Sequence, residues 1–182
     1  QTLQLMGVGE DEQFHDVEHL VLDFVDAFWQ IPLHPSERRF FCTRLDIKGV
    51  AKYIIFLRTV QGSSGAPNTW ARFAALVLRL TQSLFSDKEM RSQCFVDDPL
   101  ITIVASQNRR QAIVTVIVLV WQALGLELAY RKGQFSPNVS WIGGELETTR
   151  TTLTAKVKQS IVEDIVEMLS KVSQSNVISI KD

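Results

Sequence analysis

Three carboxylates occupy positions where they would cost stability unless they are used. Asp23 follows the apolar run Leu20–Leu22, and Asp97 and Asp98 separate two apolar runs. If these runs form neighbouring strands, the three side chains converge at one sheet edge, where like charges repel and unpaired burial is expensive. A divalent cation removes both costs, because Mg²⁺ binds one or two carboxylates together with waters and substrate phosphates. Two such ions would activate a hydroxyl nucleophile and stabilise a phosphate leaving group.

The same residues also have an ordinary structural explanation. Asp-Asp pairs are common in turns, because Asp tolerates turn dihedrals and its side chain bonds its own backbone. Asp23 alone is no more specific than the pair. The three carboxylates by themselves are therefore compatible both with a catalytic site and with an ordinary structural role in turns.

The elements that must position these carboxylates alternate between strands and helices. The first predicted elements are a strand at Leu20–Leu22 and two strands, Phe40–Ile47 and Tyr53–Leu57, joined by a turn at Lys48-Gly49. A helix from Asn68 after Pro67 follows, and then a hairpin with Asp97-Asp98 at its tip. The chain continues with a helix from Ser106 to about Leu124, ended by Gly125, and a last helix from about Ala155 to Val172. This order favours an α+β domain with its helices on one face of an antiparallel sheet.

Composition excludes several classes of protein. The 182 residues are 46% hydrophobic and 21% charged, which excludes a disordered tail, a collagen-like fibre and a charge-rich coiled coil. The net charge of −1 does not indicate nucleic-acid binding, so that function must be argued from a site. The two cysteines are too few for a disulfide scaffold, so we expect an intracellular protein, cytoplasmic or nuclear.

No segment of the chain predicts a membrane association. The most apolar stretch, from Ala112 to Leu126, is shorter than the roughly 18 residues of a membrane span and contains Trp121 and Gln122. The chain begins with Gln1 and shows no signal peptide, and we expect it to be a fragment of a longer protein.

Five sequence blocks, taken together, resemble one enzyme family. In order, they are LDFVDAFWQIPL at Leu22–Leu33, QGSSGAP at Gln61–Pro67, FVDD at Phe95–Asp98, LGL at Leu124–Leu126 followed by Lys132, and WIGGEL at Trp141–Leu146. Their order and spacing resemble the palm of reverse transcriptases, RNA-directed DNA polymerases, of the retroviral type and of long-terminal-repeat or tyrosine-recombinase retrotransposons. Each block alone is weakly specific, whereas five in order are strongly specific.

The resemblance implies a role for each acidic residue. Asp23 is expected to bind metal together with the backbone carbonyl of Phe24, and Asp97 and Asp98 form the second ligand group, with Asp97 the more direct ligand. The implied cofactors are two Mg²⁺ ions, with Mn²⁺ as a substitute. Lys132 corresponds to a family lysine thought to act as general acid on pyrophosphate, although the adjacent Arg131 leaves that assignment open.

Nucleotide and primer contacts are also implied by the resemblance. Asp26 and Ala27 would offer backbone N–H groups to the triphosphate, and Phe28 would lie under the sugar and leave no room for a 2′-hydroxyl. Gln61 and Gly62 would contact the incoming nucleotide and the template. The expected primer grip comprises Trp141, Ile142, Gly143 and Gly144.

The resemblance predicts a domain organisation and a set of partners. Residues 1–19 would be a remnant of fingers or linker, residues 20–146 the palm with part of the fingers and the primer-grip hairpin, and residues 147–182 the truncated start of the thumb. The expected partners are an RNA or DNA template with its primer, deoxynucleoside triphosphates, and the remaining polyprotein domains (fingers, thumb and ribonuclease H).

Two departures favour an alternative function. Pro99 lacks an N–H and restricts Asp98 to extended dihedrals, so it could disturb the hairpin and weaken metal binding. No Lys or Arg precedes Arg38, where the family uses basic fingers residues, and we therefore expect weak binding of template and primer. The alternative is an inactive or domesticated relative that serves as a structural or interaction module.

His15 and His19 have helical zinc spacing but lack a third ligand, so zinc is not predicted.

Overall fold

The computed structural model describes residues 16–149 and 152–174, so His15 and most of the predicted N-terminal segment lie outside the described residues. Within those ranges the chain forms nine strands and three α-helices. They are β1 (Val17–Val21), β2 (Cys42–Ile47), β3 (Val50–Ile55), α1 (Ala66–Ser83), β4 (Met90–Phe95), β5 (Asp98–Val104), α2 (Gln107–Ala123), β6 (Gln134–Ser136), β7 (Asn138–Trp141), β8 (Gly144–Thr148), β9 (Leu153–Val157) and α3 (Gln159–Gln174).

A four-stranded antiparallel sheet, in the order β4-β5-β1-β6, forms the centre of the fold. Because side chains alternate along a strand, one face of this sheet presents Leu20, Ile101 and Ile103, all buried. Helices α1 and α2 pack on this face and complete the larger hydrophobic core, to which they contribute Trp70 and Trp121. The predicted α+β class, with helices on one face of an antiparallel sheet, is confirmed.

The opposite face of the central sheet carries a second, three-stranded sheet, in the order β7-β8-β9. A smaller core of Val21, Leu100 and Val139 lies between the two sheets. His19 is fully buried beside it, and its two ring nitrogens lie 3.0 Å from Thr102 Oγ1 and 2.8 Å from Thr148 Oγ1. This histidine therefore joins β1 and β5 of the central sheet to β8 of the second sheet.

The last predicted helix begins later than expected. Residues 155–157 belong to β9, which pairs with β8 through Leu146↔Ala155, and α3 begins at Gln159. The apolar spacing that predicted a helix from Ala155 continues through Val157, but strand pairing overrides it there. Helical spacing within a segment cannot detect such a partner, which lies elsewhere in the chain.

The hairpin β2–β3 confirms the predicted pair of strands, with shifted ends. Lys48 and Gly49 form its turn, with φ of 52° and 79°, as the sequence predicts. All residues of both strands are exposed. No helix among the described residues is long and apolar enough to cross a membrane.

We predict that His19 makes stability depend on pH. Burial lowers the pKa of His19 from its ordinary value of 6.5, so the unfolded chain binds more protons than the folded one. The contribution is fully present above the unfolded pKa and is lost as pH falls through the lower folded pKa. Urea unfolding should therefore give a free energy that declines below about pH 6.5, the ordinary histidine pKa.

His19→Gln should flatten this pH dependence, whereas His34→Gln, which alters an exposed histidine bonded to Ser36, should leave it unchanged. Equal slopes in the wild type and in His19→Gln would contradict the prediction.

Candidate active site

The end of β1 and the start of β5 lie side by side and bring the predicted acidic residues to one edge of the sheet. Val21 pairs with Leu100 in the ladder. Beyond this pair, Leu22 N–H donates to Pro99 O at 3.3 Å and Phe24 N–H donates to Asp97 O at 3.4 Å. The strands that carry Asp23 and Asp97-Asp98 are therefore neighbours, which was the condition for the carboxylates to converge.

Pro99 does not disrupt the hairpin, contrary to the concern raised by the sequence. It is fully buried within β5 and lies opposite Cys94 in an unbroken register that runs to Phe95↔Asp98. Its carbonyl accepts from Leu22, but it has no N–H to return the bond, and the β1 ladder ends at Val21. The proline thus ends the pairing of β1 and β5 just before Asp23.

The tip of the hairpin is one residue earlier than predicted. Since Phe95 pairs with Asp98, the two turn residues are Val96 and Asp97, and Asp98 belongs to β5. Val96 has a φ of 55°, a left-handed conformation that β-branched residues rarely adopt. The turn thereby separates the two carboxylates, with Asp97 in the turn and Asp98 on the strand.

Lys132 lies directly against the acidic residues. Its Nζ is 2.5 Å from Asp23 Oδ2, and the Asp23 side chain is only 17% exposed. The hydrogen bond from Lys132 to Asp23, together with the attraction of that carboxylate, raises the pKa of the lysine. Lys132 is thus fully charged near neutral pH and in contact with the candidate metal ligand.

The carboxylates interact through their charges. The pKa of Asp98 is raised by burial first and then by the negative charges of Asp97 and Asp23, while Lys132 opposes the shift. Repulsion of this kind is relieved by a cation. Hard carboxylate oxygens suit Mg²⁺, which is bound by few carboxylates and keeps other positions for water and phosphate. The donor set therefore fits such an ion.

The side chains do not form a closed metal cage. Among the described residues, no group of three or more His, Cys, Asp or Glu side chains gathers into a cluster that could hold an ion by itself. In this arrangement the ammonium group of Lys132 contacts Asp23 at the position where a metal cation would bind it. An ion that bound both Asp23 and Asp97 would have to displace this ammonium group.

A cleft of about 420 Å³ lies in front of the acidic residues. Most of the predicted metal and nucleotide residues line it: Asp23, Phe24, Asp26, Ala27, Phe28, Gln61, Asp97 and Lys132. Asp98, Gly62 and the primer-grip residues are not among its lining residues. The structure thus brings eight of the predicted site residues to one concave surface.

One wall of this cleft is the short 3₁₀-helix Ala27–Gln30. Asp26 precedes it in the left-handed conformation, with φ of 46°, and accepts a hydrogen bond from Trp29 N–H. Phe28 is half-buried, packs against the hydrophobic core on one side and lines the cleft on the other. The core therefore positions the ring at the surface of the cleft.

Gly62 is required for the shape of its loop. It has a φ of 90°, which L side chains rarely adopt, whereas a Cβ added there would meet no atom of the chain within 4 Å. The backbone conformation therefore explains why a glycine stands at position 62. The same conformation lets the preceding Gln61 project into the cleft next to the start of α1.

The segment expected to act as a primer grip forms the hairpin of β7 and β8. Ile142 and Gly143 form its turn, with φ of 42° and 79°, between the paired Trp141 and Gly144. A Cβ on Gly143 would lie 3.3 Å from Ile161 Cδ1, so the turn closely approaches α3. The indole Nε1 of Trp141 donates to Asp98 O at 3.0 Å, which connects this hairpin to the acidic strand.

Three positioning side chains were missed by sequence reasoning. Gln30 bonds Val25 O and both the N–H and the C=O of Glu127, so it ties the acidic loop to the segment after α2. Arg58, in the segment after β3, donates to Trp29 O and Gln30 O. Trp70 donates to Val96 O in the hairpin turn. In the sequence, the only sign of their importance is that these three residues lie in or near the five blocks that resemble the enzyme family.

Comparison with known proteins agrees with this geometry. The family model described as reverse transcriptase (RNA-dependent DNA polymerase) matches residues 12–146, which is well over half of the chain. The chain belongs to the reverse transcriptase family. A search of the curated proteins found no match. The matched region contains β1 to β7 and ends within β8, and thus includes every residue that lines the cleft.

We predict opposite effects of two substitutions on the pKa of Asp98. Asp23→Asn removes a negative charge and should lower it, whereas Lys132→Gln removes the opposing positive charge and should raise it. Titration of the carboxyl carbon of Asp98 by ¹³C NMR measures both shifts. Glu89→Gln, which alters an acid paired with Arg109 at the far end of β4, should leave Asp98 unchanged. Shifts of the same sign in the first two variants would contradict the arrangement.

Proposed function

We propose that this reverse transcriptase domain catalyses transfer of a deoxynucleotide to a primer 3′-hydroxyl, with an RNA or DNA template in place. The observation that carries the proposal is the convergence of Asp23 and Asp97 with Lys132, Phe28 and Gln61 on one cleft. Family membership supports the reaction class, and the cleft supports its location.

In this proposal the acidic residues bind the metal. Asp23, Phe24 and Asp97 line the cleft, where the two carboxylates and the backbone carbonyl of Phe24 would supply oxygen ligands, and Asp98 would contribute from the adjoining strand. Two divalent cations, Mg²⁺ or in its place Mn²⁺, supply activation of the 3′-hydroxyl and stabilisation of the leaving pyrophosphate when bound. To bind a cation, Asp23 must give up its hydrogen bond to Lys132. The lysine is then free to act elsewhere in the cleft.

Lys132 is proposed as the general acid. Its ammonium is protonated at neutral pH even without Asp23, since the ordinary lysine pKa is about 10.4, and its side chain is 73% exposed. Once displaced from Asp23, the ammonium can donate a proton to the pyrophosphate oxygen that leaves. Substrate phosphates then offer the negative charge that Asp23 provides in the free protein.

The 3₁₀-helix wall is proposed to select the nucleotide. Asp26 and Ala27 would present backbone N–H groups to the triphosphate, and Phe28 would press against the sugar so that a 2′-hydroxyl has no room. Gln61 would contact the incoming nucleotide from the opposite loop, with Gly62 against the template. The hairpin Trp141–Gly144 would hold the primer end, and residues 147–182 would begin the thumb.

The first prediction of this proposal concerns the acidic residues. Asp23→Asn and Asp97→Asn should each reduce primer extension by at least about a hundredfold, the scale for losing one electrostatic group of an active site. Asp97→Asn should not lower the melting temperature, because it removes like-charge repulsion. Asp23→Asn also removes the ion pair with the exposed Lys132, so it should change the melting temperature only slightly, since such pairs contribute little to stability. Primer extension at low salt and thermal unfolding measure the two effects, with Asp87→Asn, an exposed acid paired with Arg91, as control.

Unaltered extension in both Asn variants would contradict the proposal. A wild-type chain that extends no primer at low ionic strength would also contradict it and would favour the structural-module alternative.

The second prediction concerns the sugar. Phe28→Val should lower the preference for deoxynucleotides over ribonucleotides by about tenfold or more, since a smaller side chain opens space for a 2′-hydroxyl. The ratio of kcat/KM for the two nucleotides measures this preference. Phe85→Val alters another half-buried core aromatic and should leave the ratio unchanged. An unchanged ratio in Phe28→Val would assign Phe28 to the core alone.

A further inference from the structure

The turn that carries Asp97 is locally strained. Val96 has a φ of 55°, and a β-branched residue in that region is stable only where surrounding contacts hold it. The Val96 side chain is 48% exposed, so its own packing supplies little of that hold. Contacts to the backbone of the turn must therefore maintain its conformation.

Trp70 makes the first of these contacts. Its ring is 1% exposed in the core below the turn, and its Nε1 donates to Val96 O at 2.7 Å. The ring also packs edge-on against Phe24, with centroids 5.2 Å apart, and Phe24 is the residue that follows Asp23. A single buried side chain thus contacts both segments that carry the cleft carboxylates.

Trp141 makes the second contact, from the other side of the central sheet. Its indole Nε1 donates to Asp98 O at 3.0 Å, and its ring packs against the smaller core of Val21, Leu100 and Val139. Trp70 belongs to the larger core on the helical face. From opposite faces of the sheet, the two indoles therefore bond the carbonyl of Val96, directly before Asp97, and the carbonyl of Asp98, directly after it in the chain.

We propose that Trp70 and Trp141 are positioning residues that hold Asp97 in place for metal binding. This inference rests on the proposed function, since it assigns the indoles a role in the geometry of that site. Neither residue need touch the metal or the nucleotide. Each acts through a backbone carbonyl, and Trp70 has the larger effect because it bonds Val96, the strained turn residue itself, and because its buried ring also packs against Phe24.

Trp121 provides a matched control. It is also fully buried in the larger core and packs against Phe24, with centroids 5.1 Å apart. Its Nε1 donates at 2.7 Å to Thr81 Oγ1 in α1, not to the hairpin turn. Trp121→Phe and Trp70→Phe thus each remove one indole hydrogen bond from a buried tryptophan that packs beside the same aromatic ring.

The test compares Trp70→Phe, Trp141→Phe and Trp121→Phe in the full chain. Mn²⁺ affinity is measured by electron paramagnetic resonance, hydrogen exchange is measured at the amides of residues 95–98, and Tm reports global stability. Loss of one net hydrogen bond should weaken Mn²⁺ binding by about two- to tenfold in Trp70→Phe and accelerate exchange in the turn by a similar factor. Trp141→Phe should show smaller changes of the same kind, and Trp121→Phe should lower Tm without either change.

Equal effects of Trp70→Phe and Trp121→Phe on Mn²⁺ affinity and on exchange in the turn would overturn the proposal, because both would then act through stability alone. If Trp70→Phe does not fold, Trp141→Phe decides, and unchanged affinity and exchange in that variant would overturn it. Failure of the proposed function has a different signature, since the wild-type chain itself would then bind no Mn²⁺.

Discussion

The repulsion among three carboxylates at one sheet edge is the constraint on which the rest of the site depends. Asp23 reaches this edge because β1 pairs with β5, and Asp97 and Asp98 reach it because β5 begins at the hairpin. The pairing is stabilised by a hydrophobic core on each face of the sheet, not by the acidic residues themselves. The fold thereby holds together charges that would separate in a free chain.

The surroundings of the carboxylates show how this repulsion is contained. Lys132 neutralises Asp23, and its charge partly offsets the raised pKa of Asp98. Cys94 feels the same negative field, since burial and then the charges of Asp97 and Asp98 raise the pKa of its thiol to about 12. Cys94 is therefore a neutral thiol at physiological pH, and its Sγ contributes a weak hydrogen bond to Val96 O. Among the described residues, the cation that contacts Asp23 is the ammonium of Lys132, whose side chain is largely exposed.

Much of the fold was predictable because its determinants are local or repetitive. Short apolar runs with turn residues between them indicated β1, the β2–β3 hairpin and the acidic hairpin. Start and stop residues, Pro67 in the first turn of α1 and Ser106 and Gly125 around α2, indicated the two helices. The site residues that line the cleft were predictable from their resemblance to a known family, since sequence blocks preserve order and spacing.

Other features could not be predicted, because they depend on contacts distant in sequence. β9 looked helical because its pairing with β8 leaves no mark on its own spacing. Pro99 looked disruptive because only the register with Leu22 reveals that β1 ends beside it. Trp70 lies within the helix predicted from Asn68, but its hydrogen bond to Val96 spans 26 residues and has no local signature. The ion pair between Lys132 and Asp23 likewise joins residues 109 positions apart.

The central claim is that Asp23 and Asp97 bind the same cation, and a crystal structure of the chain grown with Mn²⁺ tests it most directly. Anomalous diffraction at the manganese edge locates the ion without assumptions about its ligands. The account predicts a peak in the cleft within bonding distance of both carboxylates, with the ammonium of Lys132 displaced from Asp23. A cleft without anomalous density at saturating Mn²⁺, with Lys132 still bonded to Asp23, would contradict it.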